Sequence, residues 1–205
     1  MDQFPRSEIR IVHSSIDVKS WACSRPSCEA VRPTCCAGCG AASRELGRPL
    51  TVVGHGLRAR DVEGPHEPGE APAITEIFSR RYVCNACGAV LVVVPRGIGR
   101  GLRYSLSAIA YALALWGHAR VTAARARAAT SAAKARGFAS PDQWSSLRRW
   151  TSCARTIFGA GVPSASGTLR ERAARLAPWL ASHAELGTGQ VPRDAFFGGP
   201  FVHAR

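Results

Sequence analysis

The sequence predicts an α+β protein in which a small cysteine-bearing β module precedes a mostly α-helical domain, and three observations predict it. Two runs, Cys36-Ala37-Gly38-Cys39-Gly40 and Cys84-Asn85-Ala86-Cys87-Gly88, repeat one pattern. Between and just after them lie short, β-branched or alternating stretches bounded by proline and glycine. From Tyr104 onward the apolar residues recur at helical spacing instead.

The cysteine runs come first because they fix the rest. Each sets two sulfurs at C-x-x-C spacing on a tight turn, with a glycine next, where a positive φ lets amide N–H groups point back at the sulfurs. One such run suits a redox pair, whereas two copies that both end in Gly complete a tetrahedral zinc site of Cys36, Cys39, Cys84 and Cys87. Four thiolates leave no coordination position for water or substrate, so the expected Zn2+, one per chain, is structural. Cys35 abuts the first knuckle, but only Cys36 reproduces the spacing of the second. Cys23 and Cys28, with Cys35 and His13, are candidates for a second site, although their spacing is looser and no fourth ligand stands out. Cys153 falls in a helical pattern and reads as a small buried or half-buried thiol rather than a nucleophile. Disulfides are the competing use of all 8 cysteines. The N-terminus opens with acids and a proline instead of a basic and then apolar run, so a reducing, cytoplasmic compartment is expected.

Around the knuckles, residues 1–20 read as an N-terminal extension in which Ile9 to His13 can form a short strand, and 21–96 as the metal module. Leu50 to Val53 leads into Gly54-His55-Gly56-Leu57-Arg58-Ala59-Arg60, a strand with a basic edge; His55 is a strand or loop side chain, since four sulfurs already complete the site. Residues 61–73, rich in proline, glycine and acids, read as a solvated loop. Ile74 to Val83 and Ala89 to Val94 are the flanking strands of the second knuckle. Knuckle, strand, loop, strand, knuckle, strand is the order of a zinc ribbon.

Pro95 ends the sheet, and Gly97 to Gly101 with Arg96, Arg100 and Arg103 reads as a flexible basic connector. A trihelical, helix-turn-helix-like domain is expected over 97–158. Its first helix starts at Ser105 with Leu106, Ile109, Leu113 and Trp116 on one stripe and is interrupted by Gly117. The second covers Val121 to Lys134, with Arg125 and Arg127 exposed, and a break at 137–141 follows. The third runs from Asp142 to Phe158, capped by Ser140 or Asp142. At 100° per residue, Leu147, Trp150, Ala154, Ile157 and Phe158 share one face with Trp144 at its margin, and both tryptophans belong to the core. The opposite face carries Ser145, Arg149, Ser152 and Thr156, flanked by Arg148 and Arg155, which suits a nucleic-acid groove or an ordinary solvated face. Over 159–205 a Gly/Ser linker precedes a helix with Leu169, Ala173, Leu176 and Leu180, kinked at Pro178, and then a Gly-rich tail. That helix is a dimerisation surface or a lid on the trihelical core.

Charge separates the two parts. Residues 1–77 carry 9 basic and 10 acidic side chains, and 78–205 carry 18 and 4, so the net charge of +13 resides in the second part. Genome bias explains 25 Arg against 2 Lys, but it does not explain the loss of acids. A basic half of this kind is the footprint of a polyanion, most often nucleic acid. The longest apolar helical run, Leu106 to Trp116, is too short for a bilayer, so no membrane partner is expected.

These residues resemble the N-terminal zinc-ribbon and helix-turn-helix region of bacterial insertion-sequence transposases and related transposase-like proteins. The resemblance rests on Cys36 to Gly40, Gly54-His55-Gly56, Arg80 to Gly88, Val94-Pro95, Tyr104-Ser105 and Leu147-Arg148-Arg149-Trp150, within residues 20–158. It implies binding of double-stranded DNA, a nucleoid location and a transposase acting in trans as protein partner; the C-terminal helix offers self-association as the alternative. It does not imply transposition, which needs an acidic triad on a further domain; after the ribbon only Asp142, Glu171, Glu185 and Asp194 are acidic. No Ser-His-Asp order, phosphate loop or H-E-x-x-H pattern is present, so no enzymatic activity is expected. A transcriptional regulator, and a zinc module for protein interaction, are the competing functions.

Overall fold

The computed structural model describes residues 9–132, 144–164 and 166–204. The expected break at 137–141, the end of the second helix at Lys134 and the cap at Ser140 or Asp142 lie outside the described residues. The chain forms two compact units, one of Met1–Asp61 with Glu76–Arg96 and the other of Val62–Thr75 with Gly97–Arg205.

The first unit is built on a four-stranded sheet of order β1-β4-β3-β2, with β1 at Ile9–Asp17, β2 at Val52–Gly64, β3 at Ala73–Cys84 and β4 at Val90–Arg96. Central β4 is the continuous run Val90 to Pro95, buried throughout, as a strand covered on both faces must be. β3 pairs with it antiparallel, from Arg80 opposite Val93 to Val83 opposite Val90. β1 pairs with it parallel, from Ile9 opposite Val90 to His13 opposite Val94. Within the expected N-terminal extension, residues 9–17 are therefore an edge strand, which continues beyond His13 to Asp17. Pro95 lies inside β4 rather than ending the sheet, where the β1 register shifts between His13 and Asp17 and no ladder N–H is required.

Helix α1, Val18–Ser24, follows β1 and is capped by the Asp17 side chain, which accepts from Ser20 N–H. Its Trp21 is buried, and the indole N–H donates to the Phe78 carbonyl at 3.1 Å, fastening α1 to β3. β3 then ties down the irregular approach to the first knuckle. Arg80 Nε donates to the Pro26 carbonyl at 2.8 Å, and buried Tyr82 donates its hydroxyl to the Cys28 carbonyl at 2.6 Å. Burial and the Cys28 side chain beside it hold the Tyr82 phenol protonated far above its ordinary range.

In the second unit, the expected flexible connector is ordered. Ile98 is buried and bridged to Ser105, and Leu106 N–H donates to the Gly97 carbonyl at 2.8 Å. The expected solvated loop also begins later, because β2 continues to Gly64 and buries Glu63. The Glu63 carboxylate meets Arg103 Nε at 3.0 Å and accepts from the Ser131 hydroxyl at 2.6 Å, so its charge is compensated.

α2, Leu106–Leu113, starts as expected with Ser105 Oγ accepting from Ala108 N–H. It then passes into a π-helical turn, Ala114–His118, instead of stopping at Gly117. Gly117 marks a close crossing: a Cβ there would lie 2.5 Å from Ala174 N and 2.6 Å from Ala173 C. The second helix is short, with α3 at Ala123–Ala128. The third is two pieces, α4 at Ser145–Ser152 and α5 at Ala154–Phe158, broken at Cys153 with φ −97° and ψ 17°. Cys153 is exposed at this junction rather than buried.

α6, Leu169–Ala181, opens with the capping box of Thr168 and Glu171 and runs through Pro178. Its Ala173, Leu176 and Leu180 are buried in the same core as Leu106, Ile109, Leu113, Leu147 and Trp150, so this stripe acts as the lid and not as an outward dimerisation surface. The presumed Gly-rich tail is α7, Val191–Gly198, followed by a 3-10 helix, Gly199–Ala204. α7 packs against α2 and α6, and Gly198 and Gly199 allow contact with the carbonyls of Leu180 and Leu106. Trp144 and Trp150 lie in the core, edge to face at 4.9 Å, with Tyr104 5.0 Å from Trp150. No helix among the described residues is long and apolar enough to cross a membrane.

Candidate functional site

The two knuckles are built by the same backbone bonds. Cys36 N–H donates to Ala41 O at 2.8 Å and Gly40 N–H to Cys36 O at 2.8 Å; Cys84 N–H donates to Ala89 O at 3.0 Å and Gly88 N–H to Cys84 O at 2.8 Å. Gly40 and Gly88 adopt φ of 75° and 72°, the left-handed region that a side chain would strain. Within the first knuckle Gly38 N–H points at Cys36 Sγ, 3.3 Å away. The second is anchored by Asn85, whose N–H donates to Thr51 O at 2.8 Å and whose side-chain amide donates to Leu50 O at 3.3 Å.

These turns bring the sulfurs of Cys36, Cys39, Cys84 and Cys87 within 4.8 Å of one another, a candidate structural metal site. Cys36 and Cys84 are buried, and Cys39 and Cys87 are exposed. Sγ of Cys36 is 3.7 Å from that of Cys87, and Sγ of Cys39 is 3.8 Å from that of Cys84. A tetrahedron of sulfurs at the zinc–thiolate bond length has edges of about 3.8 Å, which these two separations match, so the donor set suits zinc. Burial opposes ionisation of Cys36, but N–H groups of Cys39 and Gly38 and the thiols of Cys84 and Cys87 outweigh it and lower the thiol to about 7. At Cys87 the Ala89 N–H favours the thiolate, yet the Cys39 thiol, burial and the thiols of Cys36 and Cys84 push it up to about 12. The cluster thus holds protons that a metal must displace.

Among the described residues this is the single group of three or more such ligands, and Cys23, Cys28, Cys35 and His13 assemble no second one. Cys28 is half-buried near Arg32, while Cys23 and Cys35 are exposed. His55 is an exposed side chain of β2.

The expected basic face also has a definite placement. Ser145, Arg148, Arg149 and Ser152 are exposed on α4, and Arg155 and Thr156 on α5, while Leu147, Trp150, Ala154, Ile157 and Phe158 are buried behind them. The break at Cys153 divides this face between two helices. Arg125 is exposed on α3, whereas Arg127 is half-buried rather than exposed. Ser152 and Arg155 also line a cleft of about 580 Å³ together with Arg172 of α6. Arg172 was not evident as a site residue, because nothing local couples position 172 to position 155. Set against protein-family models, curated proteins and solved structures, the chain finds no significant match.

Proposed function

We propose that this chain is a non-catalytic, zinc-dependent DNA-binding protein, a transposase-derived or accessory factor of a mobile element. One structural zinc on Cys36, Cys39, Cys84 and Cys87 holds the β module. The exposed face of α4 and α5 serves as the recognition surface, with α3 in the supporting role of a helix-turn-helix. The observation that carries this reading is the row Ser145, Arg148, Arg149, Ser152 and Arg155, exposed over an inner face of Leu147, Trp150, Ala154, Ile157 and Phe158 in the half of the chain that bears the excess positive charge. Arg148 and Arg149 have no ion pair or hydrogen bond from their side chains among the described residues. Unpaired guanidiniums can fork to guanine or clasp phosphate, and the short hydroxyls beside them permit close approach.

Arg125 adds an exposed cation on α3, and a partner transposase would supply any strand-transfer chemistry in trans. The test is a fluorescence-anisotropy titration of the full chain with duplex DNA over a range of salt. Contacts to about 4–6 phosphates give a slope of log K on log salt of about −4 to −5. Binding without a salt slope favours a zinc module for protein interaction instead.

A further inference from the structure

The cleft beside the basic face has the chemistry of an anion site. Arg155 reaches it from α5 and Arg172 from α6, and Ser152, Ser164 and Ser166 add hydroxyls at its wall. No carboxylate is among its lining residues, as far as the described residues go. Arg172 is half-buried, and its guanidinium has no ion pair or hydrogen bond among the described residues. The nearest acid in sequence, Glu171, is already committed, since its Oε2 accepts from Thr168 N–H at 2.8 Å in the capping box. Arg155 is oriented by donating from Nη2 to Ser164 Oγ at 3.0 Å. A half-buried cation left without a counter-ion is unfavourable, and an anion between the two guanidiniums would relieve it.

We infer that this cleft binds a phosphate group, clamped between Arg155 and Arg172 with the serine hydroxyls as further donors. Two forks and several hydroxyls match the oxygens of a phosphate better than a halide or a single carboxylate. The apolar wall of Val162, Pro163 and Leu176 receives the moiety that carries the phosphate, and about 580 Å³ lies within the range of small-ligand sites. The phosphate is either a backbone phosphodiester of DNA lying on α4 and α5, in which case the inference rests on the proposed function, or a free phosphomonoester.

Two arms separate these sources, each run on the full chain as wild type, Arg172→Ala, Ser164→Asp and Arg149→Ala. One measures duplex DNA affinity over a range of salt; the other measures thermal stabilisation by inorganic phosphate and by thymidine 5′-monophosphate against chloride at equal ionic strength. Ser164 is exposed, so Ser164→Asp places a carboxylate beside Arg155 without disturbing the core. A backbone phosphate predicts that Arg172→Ala and Ser164→Asp weaken DNA binding several-fold and reduce the salt slope by about 1. A free phosphomonoester predicts that both variants abolish the phosphate-specific stabilisation with DNA affinity unchanged. If wild type and both variants behave alike in both arms, the cleft is not a phosphate site. Loss of DNA affinity in Arg149→Ala alone would then leave the groove reading standing. A phosphate response without DNA binding would retain the cleft and remove the groove reading.

Discussion

Cys36 and Cys87 are 51 residues apart in sequence, and their sulfurs are 3.7 Å apart in space. Cys39 and Cys84 make the matching pair at 3.8 Å. Each contact joins one knuckle to the other, so a metal bound here closes the long loop that contains β2 and β3. The cost of ordering that loop is then offset by coordination instead of by a large apolar core.

Elemental analysis of the purified chain is therefore expected to give one zinc per chain. Cys84→Ser should lose the metal and unfold the β module, since structural zinc contributes on the order of 10 kcal/mol to such a unit. Cys23→Ser, at an exposed thiol outside the cluster, should keep both metal and fold. Two zincs per chain, or a Cys84→Ser protein that retains its ion, would contradict the assignment.

Gly117→Ala should destabilise the helical unit by about 1–3 kcal/mol, the usual cost of forcing extra volume into a packed crossing. The new methyl would press on the backbone of Ala173 and Ala174, which cannot rotate away as a side chain would. Chemical denaturation followed by tryptophan fluorescence measures the change. An unchanged midpoint would mean that α6 does not cross the π-helical turn this closely.

What was legible in the sequence is what is local. The glycine after each second knuckle cysteine, the Ser105 cap and the Thr168/Glu171 capping box are short motifs whose geometry depends on a few neighbours. The pairing of β1 with β4 is parallel and joins residues far apart, so its weak alternation showed little of its partner. Gly117, Gly198 and Gly199 look like breaks in a one-dimensional pattern, whereas they are places where helices touch. Cys153 sits in an apolar period that continues through a break which the period itself does not reveal. Glu63 reads as a loop acid because Arg103 and Ser131, which neutralise and bond it, lie far along the chain.

Asp194 gives a pH-dependent prediction. Burial raises the carboxyl, but Thr188 N–H at 2.8 Å, the Thr188 hydroxyl at 2.7 Å and Gly189 N–H at 3.0 Å outweigh it and hold it below its ordinary value of 3.8. A depressed carboxyl stabilises the fold fully above its unfolded value and loses that contribution as pH falls through its folded one. Asp194→Asn should cost about 1–3 kcal/mol at neutral pH, with the difference from wild type shrinking below pH ~4. Parallel denaturation curves at pH 7 and pH 3 test this; a gap that stays constant would argue against it.

Incubation with supercoiled DNA and Mg2+ or Mn2+ should produce no nicking or joining. A coordinatively closed zinc activates no water. Of the few acids after the ribbon, Glu171 is held in its capping box, and Asp194, in the first turn of α7, is held by Thr188 and Gly189. Cleavage that follows the chain through stringent chromatography would show otherwise.

The most direct measurement of the central claim compares two arginines of equal charge. Arg149 is exposed in the middle of the α4 face, and Arg193 is exposed on α7, stacked near Phe197. In a salt-titrated binding assay with duplex DNA, Arg149→Ala should cost about 1–3 kcal/mol and relax base preference, while Arg193→Ala should do much less. Equal losses from the two substitutions, or binding that is independent of salt, would contradict a recognition face on α4 and α5.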